Sequence, residues 1–250
     1  MDLYLDKKTA VVTGASQGLG RAITKTLAAE GVKVLAIARN EELLKSLQQE
    51  IAAAGGVVPE IWIQDFLVPE APQQIAAAAL AALPHVDILI NNAGRSRPLD
   101  IVGPDDEWQQ ALLLDFDRHR QLTQQLLPHM IGRRQGSVLN ITSTYELRAI
   151  NASAVFKASI TVWAKQLAAQ LGPYGITVNC LQPGLIDTAN IRRVFTDDQR
   201  RAYAPQAIPL GDFGTPQDVA NMATFLVSPR AKYITGTVAA VDGGLRNYAF

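Results

Sequence analysis

Short apolar runs alternate with longer amphipathic stretches from one end of the chain to the other. The β-branched, nearly continuous runs predict strands near residues 9–13, 33–38, 57–63, 86–91, 136–142, 175–181 and 237–241. Apolar residues recurring every three or four positions predict helices near 18–30, 41–54, 69–83, 105–132, 151–172 and 215–227. Strands apolar at successive positions, such as Val34-Leu35-Ala36-Ile37-Ala38, suit a sheet buried on both faces. The strand–helix alternation therefore predicts an α/β fold: a doubly wound parallel sheet covered by helices on both sides, with ligands beyond the carboxyl ends of the strands. The Ala-rich segment from Ile75 to Leu83 reads as a helix packed closely on that sheet, and no internal repeat is present.

Composition narrows the picture. A chain of 250 residues suits one domain and can bury roughly 70–75% of its unfolded surface. Lys and Arg total 23 against 23 Asp and Glu, so no excess charge points to nucleic acid or to an anionic membrane. The lone Cys180 excludes an internal disulfide and sits in an apolar run as a core residue; with no Cys or His at ligand spacing, no metal site is expected. Met1 to Lys8 lack the apolar stretch of a signal peptide and no apolar run reaches membrane-spanning length, so a cytoplasmic protein is expected.

The first strand runs into Thr13-Gly14-Ala15-Ser16-Gln17-Gly18-Leu19-Gly20, and a helical pattern follows at once. A turn from a buried strand into a helix needs glycine where φ is positive or where backbone must approach a ligand, and the helix start offers unpaired N–H groups to a phosphate. Gly14, Gly18 and Gly20 fit those needs, although their spacing is G-x-x-x-G-x-G and not the commoner G-x-G-x-x-G. Arg39, after the second strand, stands where a carboxylate would bind a ribose 2′-hydroxyl, so a 2′-phosphate and NADP(H) are favoured over NAD(H). Asp65 ends the third strand and can accept from an adenine amino group, while Asn91-Asn92-Ala93-Gly94 after the fourth offers small residues and amides where a cofactor would cross.

Together with Asn179 in I-T-V-N, Pro183-Gly184 and Asp242-Gly243-Gly244, these motifs resemble the short-chain dehydrogenase/reductase family over nearly the whole chain. The resemblance implies one Rossmann-like domain over residues 1–250 with a substrate lid at about 188–214. It implies NAD(P) on Gly14, Ser16, Gln17, Gly18, Leu19 and Gly20, with adenine and ribose contacts from Arg39, Asp65, Phe66, Asn92, Ala93 and Gly94. Pro183, Gly184, Ile186 and Thr188 would meet the nicotinamide. Members preferring NADP often carry a basic residue where Gln17 stands, which weakens the phosphate argument slightly.

The family's Asn-Ser-Tyr-Lys tetrad is matched only in part. Lys157 is the lysine of Y-x-x-x-K, which puts Ser153 at the tyrosine; Ser143 matches the serine, with a shortened loop between, and Asp115 stands at the asparagine. A serine hydroxyl cannot replace a phenol as proton donor. Tyr145 as surrogate acid, proton donation by Lys157, and a substrate needing little acid help all stay open. His85, His119 and His129 read as solvated. Arg95, Arg97 and Arg148, together with arginines in the lid, suggest an anionic small-molecule substrate. The resemblance implies a homotetramer or homodimer. The leading expectation is an NADP(H)-dependent oxidoreductase with an atypical tetrad, acting on a small polar or acidic carbonyl or alcohol. A lyase, isomerase or dehydratase on the same scaffold, or a catalytically silent nucleotide-binding subunit, are the rivals.

Overall fold

The computed structural model describes residues 1–143 and 149–247. Seven strands form one parallel sheet: β1 (Thr9–Thr13), β2 (Lys33–Ala38), β3 (Glu60–Ile63), β4 (Ile88–Asn91), β5 (Gly136–Ile141), β6 (Ile176–Pro183) and β7 (Val238–Val241), in the order β3-β2-β1-β4-β5-β6-β7. The order reverses beside β1, between β2 and β4, and the crevice outside the carboxyl ends there is where doubly wound sheets take their ligands. The expected fold class is therefore observed.

Side-chain alternation divides the core in two. On one face Val12, Ala36, Ile90, Leu139 and Leu181 pack under the helices α1 (Gly18–Ala29), α2 (Glu41–Ala53) and α9 (Pro216–Leu226). Their neighbours Val11, Leu35, Leu89, Val138 and Val178 point the other way, under α3 (Ala71–Ala82), α5 (Arg118–Arg133) and α6 (Ala152–Leu171). Successive apolar residues thus both find a core, which explains why the strands carry few polar positions. Cys180 lies in the second cluster, and burial pushes its thiol up to about 12.

Three sequence expectations are corrected. The third strand begins at Glu60 and not at residue 57, because it is an edge strand paired only with β2 and Pro59 brings no N–H to a ladder. The helix expected over 105–132 is interrupted: α4 (Asp105–Leu112) passes through a π-helical turn, Leu113–Asp117, before α5 begins. The lid contains two helices that periodicity did not predict, α7 (Ala189–Val194) and α8 (Asp197–Ala207), which start at the caps Thr188 and Thr196. Their apolar sides share a small cluster with Ile208 and Phe213. Among the described residues no helix is long and apolar enough to cross a membrane.

At the opposite end of the strands from the glycine turn, Asp87 is buried and accepts from the Thr9 backbone, Arg133 and Gln135, with His85 at 3.0 Å. Removing one partner from a buried charged cluster typically costs about 3 kcal/mol. Asp87→Ala should lower stability by about that amount in urea unfolding while leaving nucleotide affinity of the folded protein unchanged, because the cluster lies at the amino ends of β1 and β4 and the crevice at their carboxyl ends.

Candidate active site

The carboxyl ends of β1 and β4 are clasped together. Thr13 Oγ1 donates to the Ile90 carbonyl and accepts from the backbone N–H groups of Asn92 and Ala93. The Asn92 amide donates back to the carbonyls of Thr13 and Gly14. Gly14 and Gly18 have φ of +66° and +55°, and a Cβ built on Gly20 would lie 2.3 Å from the Gly14 carbonyl oxygen. Glycine is therefore required at the first two positions by conformation and at the third by packing. Leu19 packs on the first core cluster, and the Ser16 carbonyl accepts from Arg21.

Gln17 precedes α1 with an extended backbone and no side-chain cap, so the first N–H groups of the helix face the crevice without a side-chain acceptor. Beyond Gly18 the nearest heavy atom to a Cβ would be Thr188 Cγ2, at 3.7 Å. An uncapped helix start facing this small-residue gap fits a pyrophosphate.

At the far end of the crevice Arg39 is 71% exposed, with its guanidinium 3.7 Å from Asp65. Asp65 Oδ1 accepts from the Leu67 backbone and Oδ2 faces Arg39, so both oxygens have protein neighbours. Phe66, expected among the adenine contacts, turns its ring into the core against His119, with ring centroids 5.2 Å apart.

Around Gly94 three residues at the expected tetrad positions meet. A Cβ built on Gly94 would lie 2.6 Å from Asp115 Oδ1 and 3.3 Å from Lys157 Nζ. Asp115 is fully buried, brought inward by the π-helical turn, a distortion that recurs at functional sites. Ser153, one helical turn before Lys157 on α6, is also buried, with Oγ 2.8 Å from Asp115 Oδ2 and 2.5 Å from the Arg95 carbonyl oxygen. Burial holds the Asp115 carboxyl above the ordinary carboxylate range, against the opposing pull of Lys157, Ser153, Arg97 and the Arg95 backbone N–H. Ser143 stands half-buried after β5, its carbonyl accepting from Gln182. Tyr145 and Arg148 lie outside the described residues.

The other expected site residues come from the β6 side. Pro183 ends that strand, and a Cβ on Gly184 would come within 2.7 Å of Asp242. The Ile186 side chain is buried and its backbone bridges Gly214, while Thr188 caps α7. Next to them Asp187, which the sequence did not single out, ties the lid down: Arg192 binds it through two nitrogens and Arg200 joins the same carboxylate. These guanidinium groups hold Asp187 below the usual carboxylate range.

Two expectations change here. Arg97 is buried and bound to Glu107 at 2.6 Å, with Arg95 beside the same carboxylate at 3.5 Å. Arg97 thus leaves the set of arginines open to an anion, and Arg95 stays exposed in it. His119 is buried, not solvated: its Nε2 donates to the Ala93 carbonyl at 2.7 Å, while Nδ1 has no partner among the described residues. It lies one turn after Asp115 on the same inward face, the spacing that would have revealed it had the π-helical turn been foreseen. No group of three or more His, Cys, Asp or Glu able to hold a metal ion occurs among the described residues.

Residues 14–246 match the family model described as enoyl-(acyl carrier protein) reductase. The chain is 34% identical over 250 residues to the 3-oxoacyl-(acyl-carrier-protein) reductase of Aquifex aeolicus, covering 98% of this chain and 100% of that protein. This chain belongs to the short-chain dehydrogenase/reductase family. Among solved structures, the L-sorbose reductase of Gluconobacter frateurii complexed with NADPH and L-sorbose superposes with a TM-score of 0.93 at 29% identity, covering 99% of this chain and 100% of that one. A 7α-hydroxysteroid dehydrogenase complexed with NADH has a TM-score of 0.92 at 32% identity, covering 100% and 98%. Short-chain dehydrogenases/reductases are NAD(P)-dependent oxidoreductases, and the uncapped helix, the glycine turn and the Thr13–Asn92 clasp give this member the crevice such a cofactor needs.

Burial depresses the pKa of His119 from the ordinary 6.5 to about 4. The unfolded chain then binds the proton more readily, so stability is fully present above pH 6.5 and is lost as the pH falls toward 4. At about 1.4 kcal/mol per pH unit, the loss is on the order of 3 kcal/mol. In denaturant titrations across that window, His119→Gln should remove this part of the slope; parallel slopes for the two proteins would refute it.

Proposed function

We propose that this protein is an NADP(H)-dependent oxidoreductase acting on a small polar or acidic carbonyl or alcohol. In this reading Ser153 and Asp115 stand where the family has its catalytic tyrosine and asparagine, and Lys157 handles the proton. The observation that carries it is the burial of Ser153, whose hydroxyl is taken up by Asp115 and the Arg95 carbonyl. A hydroxyl so engaged is unavailable to a substrate. Lys157 is the partly exposed group beside Gly94, at the edge of the crevice.

When bound, the nicotinamide supplies or accepts the hydride. The chain's own residues do the rest. The N–H groups at the start of α1, with Ser16 and Gln17 before them, hold the pyrophosphate, and Gly14, Gly18 and Gly20 let it come close. Arg39 neutralises a 2′-phosphate, a role supported by its exposure and opposed in part by Asp65 3.7 Å away. Asn92, Ala93 and Gly94 wall the crevice, with Pro183, Gly184, Ile186 and Thr188 on the other side. Ser143 binds the substrate oxygen and Lys157 gives it a proton. Arg95 favours a substrate carrying negative charge. Cytoplasmic residence is part of the same proposal.

The test is oxidation of NADPH and NADH in the presence of small polar and acidic ketones and aldehydes. Arg39→Ala should weaken NADPH binding roughly tenfold, a loss of about 1.4 kcal/mol, with little effect on NADH. Lys157→Met should lower kcat by roughly 10²–10⁴, as expected for a lost general acid, whereas Tyr145→Phe should change it little. Collapse of activity in Tyr145→Phe alone would transfer the proton-donor role to that tyrosine. Tight NADPH binding without turnover of any carbonyl or alcohol would sink the redox assignment.

A homotetramer or homodimer is proposed through α4, α5 and α6, supported by the exposure of Leu112, Val155 and Val162 on those helices. Light scattering should give an oligomer, and a monomeric mass at micromolar concentration would overturn this.

A further inference from the structure

The hydrogen bonds around Ser153 do not balance with an ionised neighbour. Its Oγ lies 2.5 Å from the carbonyl oxygen of Arg95 and 2.8 Å from Asp115 Oδ2. A carbonyl oxygen only accepts, a carboxylate only accepts, and a serine hydroxyl carries one hydrogen. With Asp115 ionised, one of the two contacts would set acceptor against acceptor at a buried hydroxyl. One more hydrogen is needed. Asp115 Oδ2 is the atom that can carry it: the protonated acid donates to Ser153 Oγ, and Ser153 donates to Arg95.

Two further observations agree. Asp115 is fully buried, and its other oxygen, Oδ1, makes no well-aligned hydrogen bond among the described residues, although the Arg95 backbone N–H also pulls on the carboxyl. An unpaired oxygen is costly on a buried carboxylate and much less so as the carbonyl of a neutral acid. The charges facing Asp115 come from Lys157 on α6 and from Arg97 in the loop after β4, and Arg97 is already balanced by Glu107 on α4. His119, on α5, is turned to Ala93 and holds its single proton there.

We infer that Asp115 works as a protonated acid, a positioning residue that holds the loop Gly94–Arg97 beside Lys157 through the chain Asp115–Ser153–Arg95. An asparagine amide would supply the same hydrogen at every pH. An aspartic acid supplies it only until it ionises. Above that point Ser153 can satisfy only one of its two acceptors, the loop loosens, and the crevice wall next to Lys157 loses its support. The consequence for turnover rests on the redox reading above; the protonation state does not.

Infrared spectroscopy of the cofactor-free protein tests the proton directly. A carboxylic-acid carbonyl band is expected at neutral pH, lost in Asp115→Asn and shifted in Ser153→Ala, where the hydrogen-bond partner is gone. The sign of the linkage gives a second readout. A carboxyl raised in the folded state contributes stability that is present below its ordinary value of 3.8 and lost as the pH rises through the folded-state value, so wild type should lose stability relative to Asp115→Asn as the pH rises. In turnover, kcat/KM of the wild type should fall about tenfold per pH unit above the ionisation of Asp115, whereas Asp115→Asn should hold its activity to higher pH and fall only where Lys157 loses its proton. No such band in the wild type, or a band that survives Asp115→Asn, overturns the inference. The same alkaline limb in both enzymes overturns the positioning role. Failure of the redox reading would appear separately, as absence of turnover with the band intact.

Discussion

The site depends on the clasp between Thr13 and Asn92. A single threonine oxygen donates to Ile90 and accepts from two consecutive N–H groups, and the Asn92 amide returns two bonds to the glycine turn. These bonds fix the ends of two adjacent parallel strands, whose own ladder stops short of the turn. Without them, the loop carrying Ala93 and Gly94 would have no fixed distance from the start of α1. The crevice width is set here, and the glycines only make it usable: any side chain at Gly14 would meet Asn92.

From that clasp the support runs outward along one face. Ala93 is held from behind by His119, whose ring leans on Phe66 from the neighbouring loop. Gly94 sits against Asp115 and Lys157, and Arg95 gives its carbonyl to Ser153. Consecutive residues of one loop are thus anchored by α5, the π-helical turn and α6. The π-helical turn makes this possible, because its extra residue sends Asp115 inward while α5 keeps His119 on the same side. On the opposite wall the lid is fastened differently, by exposed and half-buried arginines converging on Asp187. Ion pairs of that kind are weaker and screened by salt, so the two walls have unequal rigidity: a hydrogen-bonded inner wall and an electrostatically tethered outer one.

Most of the fold was legible in the chain because it is written in local signals. Apolar runs located the strands, and the five central ones, buried on both faces, need no correct guess of which face is inward. The shortened β3 was less legible, as edge pairing depends on where β2 ends. The lid helices carry little periodic signal because their apolar faces are small and share one minor cluster with Ile208 and Phe213; the Thr196–Gln199 capping box is the local signal for the second of them. The glycine turn and Asn91–Gly94 were readable because glycine and small residues leave few explanations besides close approach.

What the sequence determined by itself was the sheet, its helical covers and the identity of the residues around one crevice. What only the tertiary structure decided was which of those residues are engaged. Histidine at 119 reads as solvated and aspartate at 115 has no face assigned, because a π-helical turn shifts the facing of a helix without leaving a periodic trace; the burial of Ser153 on α6 depends on its contacts with Asp115 and Arg95. Arg97 looked like a ligand for an anion until Glu107, on another element, was found beside it. A side chain's charge is written in its residue type; whether that charge is free, paired or suppressed by burial depends on neighbours distant in the chain, and these only folding brings together.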